Sequence, residues 1–140
     1  MTRSATLLTI AALGFATAQL FPGPRTNPAV TAEIGAPREV VPLLRRACYD
    51  CHSNETRWPW YSRVAPVSWL VTHDVSEGRR ELNFSEWGHD SRERQARKRT
   101  KSVKELRQGK MPPWYYRAFH PAARLTEAEQ AILTAWLQGG

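Results

Sequence analysis

The chain has 140 residues, 41% of them apolar, and its 20 lysine and arginine residues outnumber 13 aspartate and glutamate residues, giving a net charge of +7. This length predicts a single domain with one modest core. The sequence contains no alternation of apolar and polar residues that would predict a β-strand, and it contains no internal repeat. Both observations favour an all-α domain. The positive charge is not accompanied by any recognised nucleic-acid module, so we expect no nucleic-acid partner.

Residues 1–21 have the pattern of a secretory signal peptide or of a single membrane anchor. Positive charge at the N-terminus precedes an apolar run from Ala5 to Phe15, and Ala16-Thr17-Ala18 has the small-x-small pattern of a cleavage site. Without cleavage the apolar run extends to Phe21, the short limit for a membrane span. Either alternative predicts that the rest of the chain lies in the periplasm, on the outer side of the inner membrane.

Residues 22–36 contain three prolines and two glycines with few large apolar groups. This composition predicts a linker without a fixed fold. The remaining residues, 37–140, are then the expected folded domain.

A short helix from about Glu39 to Ala47 is predicted to deliver Cys48 to the most informative motif of the chain, Cys48-Tyr49-Asp50-Cys51-His52. C-x-x-C-H is the attachment signature of c-type haem, because two thiols three residues apart can each add to a haem vinyl group while the adjacent histidine reaches the iron. The motif therefore predicts a covalently bound haem c, with Cys48 and Cys51 as attachment points and His52 as an iron ligand.

Three other interpretations of the two cysteines remain open. A local disulfide is one, and a thioredoxin-like redox pair is another, although such a pair is expected beside a βαβ pattern that the surrounding sequence lacks. A structural zinc site requires four ligands, and no second C-x-x-C or H-x-x-x-H pattern is present.

Two helices are predicted between the motif and residue 110. Pro66 is suited to the first turn of a helix that continues to Gly78, and the next helix spans about Ser91 to Gln108 with Gly109 as its stop. Nine lysine and arginine residues lie between Arg92 and Lys110, against two glutamates. Such a run is either a solvated helix face or a docking surface for an acidic redox partner or anionic lipid headgroups.

Met111-Pro112-Pro113 is the predicted source of the second axial ligand. Two prolines favour a rigid loop that presents the methionine, and a thioether sulfur is a soft ligand suited to haem iron. The other methionine is the initiator, so no further methionine competes for this role. His73, His89 and His120 are the alternative ligands, because imidazole also binds iron.

The last helix begins with a capping box, Thr126 and Glu129, and ends at Gly139-Gly140. Its apolar residues indicate which face it buries. The face expected to be buried comprises Ala128, Ala131, Ile132, Ala135 and Trp136.

The distinctive motifs are Cys48–Thr56, Trp58–Ser62, Ala65–Trp69, Asp74-Val75, Gly78-Arg79, Asn83–Ser85 with Trp87, Met111–Pro113 and His120-Pro121. Together they resemble the bacterial haem-binding domain family, small exported proteins similar to c-type cytochromes, over about residues 37–138. The resemblance implies a cytochrome c-like helical fold around a covalently attached haem. It implies attachment at Cys48 and Cys51, with His52 as the proximal ligand. Met111 as the distal ligand is similar to the Met-Pro loop of class I cytochromes c.

These observations favour an exported monohaem c-type cytochrome that transfers electrons and is not an enzyme. Its expected partners are the cytochrome c maturation machinery and a redox protein with an acidic docking face. Two other functions stay open: a haem-based sensor or peroxidase-like protein with a labile distal ligand, and a non-catalytic haem module that docks to a larger redox complex.

Overall fold

The computed structural model describes residues 2–139 and is entirely helical over that range, with no strand. The prediction of an all-α fold is therefore confirmed. Short 3₁₀ helices lie at Trp60–Arg63, Trp87–His89 and Pro121–Ala123. The α-helices are α1 (Arg3–Ala18), α2 (Val41–Ala47), α3 (Tyr49–His52), α4 (Val67–Glu81), α5 (Arg92–Arg107), α6 (Trp114–Phe119) and α7 (Glu127–Gly139).

The helix ends follow the capping signals in the sequence. The Ser91 side chain accepts a hydrogen bond from the Arg94 N–H at 3.3 Å at the start of α5, and Gly109, just beyond its end, has a φ of +65°. Only glycine adopts that backbone conformation without strain, which explains why the helix stops there. At α7, the Thr126 N–H donates to Glu129 at 2.9 Å and the Glu129 N–H donates to Thr126 at 3.3 Å, so the predicted capping box is formed.

The hydrophobic core joins α2, α5 and α7 to the segment between α4 and α5. Arg99 of α5 strengthens this packing, because its guanidinium lies 5.2 Å from the ring centre of Trp87 and 5.4 Å from that of Trp136. The buried residues of the core are Ile34, Val40, Leu43, Leu44, Tyr49, Phe84, Trp87, Val103, Leu106, Leu133 and Leu137.

The face of α7 that is buried differs from the expected one. Leu133 and Leu137 lie in the core, whereas Ile132 is 42% exposed and the three alanines of the expected face are exposed. Trp136 alone of the expected set packs against the core, and it is only partly buried. The helix has apolar residues on most of its circumference, so packing selected the face with the two large leucines.

Residues 19–36, here called the strap, lie against the domain rather than forming a segment without a fixed fold. The Gln19 side chain bonds both backbone groups of Ala65, at 3.0 and 3.1 Å, and the Ile34 N–H donates to the Phe84 carbonyl at 2.8 Å. The prediction of an unstructured linker for residues 22–36 rested on proline and glycine content. That content indicates only the local conformational preference of the backbone, not its hydrogen bonds to distant residues. The strap is thus part of the folded unit.

The N-terminal helix α1 has no buried residue, and five of its large apolar side chains are more than half exposed. Within residues 2–139, no helix has both the length and the apolar character needed to cross a membrane.

Candidate functional site

The two cysteines and His52 share one helical turn where α2 meets α3. The Cys48 N–H donates to the Leu44 carbonyl at 2.8 Å, and the Cys48 carbonyl accepts from the His52 N–H at 2.9 Å, so the turn continues α2 almost without a break. Both thiols are free and partly buried. Their spacing of three residues places them on one side of the turn.

The environment of both thiols keeps them protonated. Burial is the main cause that raises the pKa of Cys48 to about 12, and burial followed by the negative charges of Asp74 and Asp50 raises the pKa of Cys51 to about 12. A redox-active pair requires the opposite shift, because the thiolate is the reactive form. The free thiols do not form the local disulfide, and residues 2–139 contain no cluster of three or more His, Cys, Asp or Glu side chains that could hold a metal ion.

His52 is fixed in one tautomer by the end of α4. Its Nδ1 lies 2.9 Å from the Gly78 carbonyl oxygen and 3.1 Å from the Leu82 carbonyl oxygen. Since carbonyls only accept hydrogen bonds, Nδ1 carries the proton and the Nε2 lone pair is the one able to bind a metal. Burial lowers the pKa of His52, which keeps the ring neutral near pH 7.

Helix α4 approaches the motif so closely that position 78 admits only glycine. A Cβ there would lie 3.0 Å from the Cys51 carbonyl carbon and 3.1 Å from the Cys51 Cβ. The next residue, Arg79, donates from Nε to the Ser53 carbonyl at 2.8 Å and from Nη2 to Thr56 at 2.9 Å. Gly78 and Arg79 therefore fix the position of the motif on α4.

A buried polar cluster supports the loop that follows His52. Asn54, 2% exposed, donates to the Ala29 carbonyl at 2.9 Å and accepts from Asn83 at 2.9 Å, while its N–H donates to Ser85 at 2.9 Å. These polar residues were not assigned a role from the sequence. Their signal was their occurrence in two short motifs, one directly after the histidine and one around Phe84.

Two adjacent tyrosines connect α6 to the motif and to α4. The Tyr116 hydroxyl donates to Asp50 Oδ2 at 2.7 Å, and the Tyr115 hydroxyl donates to Asp74 Oδ2 at 3.0 Å. Asp50 is itself 7% exposed, and its Oδ1 accepts from the N–H and Nε of Arg57 at 3.1 and 3.3 Å. The acidic residue between the two cysteines is thus a structural acceptor.

Met111 lies in the loop between α5 and α6, four residues before Tyr115. Its side chain is 39% exposed, the following Pro112 is buried, and the peptide bond between them is cis. Its role as an iron ligand stays a prediction. The contacts of Tyr115 and Tyr116 nevertheless bring the start of α6 to the helices that carry and flank Cys51.

The three alternative histidines lie in different surroundings. His73 is exposed on α4, and the exposed His89 bonds Thr31 at 2.9 Å. His120 Nε2 lies 2.6 Å from the Tyr61 hydroxyl, and its ring stacks on Tyr116 with centroids 4.2 Å apart. His120 is therefore the one of the three with contacts to the site described above.

An exposed apolar surface lies around Tyr61 and Tyr115. Tyr61 contacts Phe119 at 5.4 Å between centroids and Trp60 at 5.8 Å, and Tyr115 contacts Trp114 at 5.7 Å. Trp60, Trp114 and Phe119 are each more than 70% exposed. Exposed aromatic groups in this number mark a ligand or partner surface.

A separate groove of about 660 Å³ runs between α5 and α7. Val103 and Leu137 contribute apolar side chains, while Arg99, Lys104 and Arg107 contribute positive charge. The Nη1 atom of Arg99 is buried and has no hydrogen-bond partner in residues 2–139. By contrast, Arg94 and Lys101 of the same helix are paired with Asp90 and Glu81.

The structure is that of a small helical protein in which His52 is held with Nε2 as the nitrogen able to bind a metal. This arrangement agrees with the comparison against known families, in which the model described as "Haem-binding domain" matches residues 10–139. The chain belongs to the haem-binding domain family, which confirms the predicted family and haem as its cofactor. No curated protein and no solved structure matches the chain.

Proposed function

We propose that this haem-binding domain carries a c-type haem and transfers electrons. The observation that carries the proposal is the orientation of His52, whose Nδ1–H is held by two carbonyl oxygens at 2.9 and 3.1 Å in the same turn as two free thiols. Hydrogen bonds at one ring nitrogen fix the tautomer and increase the basicity of the other. His52 is thus the proposed proximal ligand, binding iron through Nε2.

Cys48 and Cys51 are the proposed attachment points. These two residues would hold the haem by thioether bonds, in which each sulfur would bond one carbon of a vinyl group while the thiol hydrogen would go to the other carbon. The raised pKa of both thiols keeps their protons in place before attachment. The cytochrome c maturation machinery is the proposed partner for this step.

Met111 is the proposed distal ligand. Methionine and histidine together fill both axial positions and raise the reduction potential of the iron. The contacts of α6 with Asp50 and Asp74 support this assignment, because α6 begins three residues after Met111. An iron with both positions filled exchanges electrons and binds no substrate, so we propose that the protein is not an enzyme.

The first test is production of the protein with a cytochrome c maturation system. We expect haem that survives acid-acetone extraction in the wild type and is lost when Cys48 and Cys51 are both changed to serine. Extraction of the haem from the wild type by acid-acetone would contradict covalent attachment, but it would not contradict haem binding.

The second test is the reaction of the ferrous protein with carbon monoxide. We expect an inert wild type and a reactive Met111→Ala variant, with His120→Gln as the control that remains inert. If the His120→Gln variant binds carbon monoxide and the Met111→Ala variant does not, the distal ligand is His120.

The loop position of Met111 favours one alternative function. A ligand in a loop that precedes a six-residue helix can leave the iron more easily than a ligand within a long helix, which suits a haem-based sensor or a peroxidase-like protein. Rapid carbon monoxide binding by the wild type would support this alternative. An inert wild type that exchanges no electrons with redox proteins would instead support a non-catalytic module of a larger complex.

We also propose that the domain acts in the periplasm, delivered by residues 1–21 as a cleaved signal peptide or kept there by them as an anchor. Exposed apolar side chains on α1, among them Leu8 and Leu13, support a segment that is removed or inserted elsewhere. Fractionation of cells with an antibody to the C-terminal domain tests the compartment. The N-terminal sequence of the mature protein distinguishes cleavage from anchoring.

The proposed docking surface for an acidic redox partner is the groove between α5 and α7. Its positive side chains, Arg99, Lys104 and Arg107, form no ion pair with a carboxylate in residues 2–139, and the Arg99 Nη1 still lacks an acceptor. A carboxylate of the partner would satisfy that donor, while complementary charge would speed the encounter.

Charge reversal at matched positions tests the docking surface. Changing Lys104 and Arg107 to glutamate should slow electron transfer to a small acidic redox protein at low salt. The matched control changes Arg94 and Lys101, which are already paired, to glutamate and should slow it less. Equal effects would indicate that only net charge matters, and binding of the wild type to anionic vesicles alone would favour a lipid surface instead.

A further inference from the structure

The two adjacent tyrosines of α6 each bond a carboxylate on a different helix, and these are the contacts that support Met111 as the proposed distal ligand. We propose that Tyr115 and Tyr116, here called the tyrosine clamp, are positioning residues that hold the Met111 loop against α3 and α4. The proposal rests on the proposed function, because it concerns the positioning of the proposed distal ligand.

Helix α6 needs such a clamp because little else holds it. It has only six residues and none of them is buried, and a helix of that length is not stable by itself. Trp114 at its start and Phe119 at its end are exposed by 74% and 72%. Apolar packing therefore contributes little to the docking of this helix.

The contacts of α6 divide along its length. At its C-terminal end, Phe119 and the following His120 contact Tyr61. Nearer to Met111, the side chains of the clamp make the hydrogen bonds: the Tyr115 hydroxyl donates to Asp74 at 3.0 Å, and the Tyr116 hydroxyl donates to Asp50 at 2.7 Å. Loss of the clamp would thus free the end of α6 that leads into the Met111 loop.

The two acceptors connect the clamp to the haem motif. Asp50 lies between the two cysteines and is held by Arg57 through its other oxygen, so the Tyr116 bond ends on a fixed group. Asp74 lies on α4, the helix whose Gly78 and Leu82 carbonyls hold His52. The clamp therefore fixes the distal loop to the same helices that orient the proximal ligand.

The clamp keeps its protons at neutral pH. Burial, and then the bond to Asp74, raises the pKa of Tyr115 to about 12, and burial followed by the bond to Asp50 raises the pKa of Tyr116 further. Both hydroxyls therefore remain donors to charged acceptors, and hydrogen bonds of that kind are the stronger ones.

The test compares Tyr115→Phe, Tyr116→Phe and the double variant in the haem-loaded protein. Thr31→Val is the control, because it removes a hydroxyl of the strap that bonds His89 at 2.9 Å and has no bond to α6 or to the haem motif. Two readouts are used: amide hydrogen exchange over residues 110–119, and the ferric absorption band of methionine ligation together with the rate of carbon monoxide binding.

We expect exchange over residues 110–119 and carbon monoxide binding to be about tenfold faster or more in the double variant, since each lost bond is of the charge-assisted kind. Thr31→Val should leave both unchanged even if it lowers the melting temperature. Unchanged exchange in the double variant would overturn the clamp. Faster exchange with unchanged methionine ligation would overturn its positioning role.

Failure of the proposed function has a different signature. If Met111→Ala leaves the wild-type spectrum unchanged, the methionine is not the ligand, and the proposed distal assignment fails. Hydrogen exchange still decides whether the tyrosines hold the loop, because it does not depend on which group binds iron.

Discussion

The two sides of the candidate haem site are built in different ways. The proximal side, residues 48–56 with α4, is packed and rich in hydrogen bonds: Ser53 is fully buried and Asn54 is 2% exposed. The distal side, residues 111–120, leaves Met111 39% and Trp114 74% exposed. The fold thus orients the proposed proximal ligand by itself, whereas the distal side depends on a few side-chain bonds and on what covers its aromatic groups.

This difference follows from chain connectivity. His52, the proposed proximal ligand, is placed by backbone carbonyls at the end of α4, which cannot be lost by mutation of a side chain. Met111, the proposed distal ligand, is placed by a loop and a six-residue helix with no buried residue. Substitutions on the proximal side should therefore affect folding, and substitutions on the distal side should affect ligation more than folding.

The largest effect is expected from Gly78→Ala, which would break the proximal side. The new methyl group would meet the backbone of Cys51, and a backbone atom cannot move aside as the end of a side chain can. We expect a loss of about 3 kcal/mol or more in the free energy of unfolding, together with a lower yield of haem-loaded protein. Denaturant unfolding and haem content measure the two effects.

Gly35→Ala is the matched control for this change. A Cβ at Gly35 meets nothing within 4 Å, so the same added methyl group should be neutral or stabilise by up to about 1 kcal/mol. Equal stabilities for the two variants would show that α4 does not approach the motif as closely as described.

The next largest effect is expected from Asn54→Ala, which would loosen the proximal side without a steric clash. The change removes the acceptor of the buried Asn83 amide and the donor to the Ala29 carbonyl of the strap. Leaving buried partners unpaired costs about 1–3 kcal/mol, to be measured by denaturant unfolding. Asn27→Ala, at an exposed position that also makes hydrogen bonds, should cost less than about 1 kcal/mol. A smaller loss at Asn54 than at Asn27 would contradict the importance of the buried cluster.

The sequence predicted the parts of the fold that local signals determine. The helical class, the extent of α5 and the capping box of α7 all depend on residues a few positions apart, and all three are confirmed. The family and its haem cofactor were also predicted correctly, because their motifs are contiguous. The roles of Cys48, Cys51, His52 and Met111 stay predictions.

The parts that could not be predicted depend on contacts between distant segments. Tyr116 and Asp50 are 66 residues apart in the chain, and neither residue type indicates that the two will meet. The sequence of the strap has no periodic pattern of apolar residues that would predict its structure. Its position is determined by hydrogen bonds to backbone groups in distant parts of the chain. The prediction of the buried face of α7 was wrong, because that helix carries apolar residues on most of its circumference. Only tertiary packing determines which of them are buried.

The smallest effect is expected from acid, and it probes the distal side. Burial lowers the pKa of His120 below its ordinary value of about 6.5. Between the lowered folded value and the unfolded value, the unfolded chain binds more protons, so stability increases with pH in that window. We therefore expect His120 to make the haem-loaded protein less stable as the pH falls below about 6.5, with no further loss below the folded pKa.

Two variants separate burial from hydrogen bonding as the cause. His120→Gln should remove this part of the pH dependence, which is read from denaturant unfolding at a series of pH values. Tyr61→Phe deletes the hydroxyl 2.6 Å from Nε2 but leaves the ring covered by Tyr116, so the pH dependence should remain. If Tyr61→Phe abolishes the dependence as His120→Gln does, the hydrogen bond rather than burial controls the histidine. An unchanged slope in His120→Gln would assign the acid sensitivity to another group and leave the distal side without a titrating residue in this range.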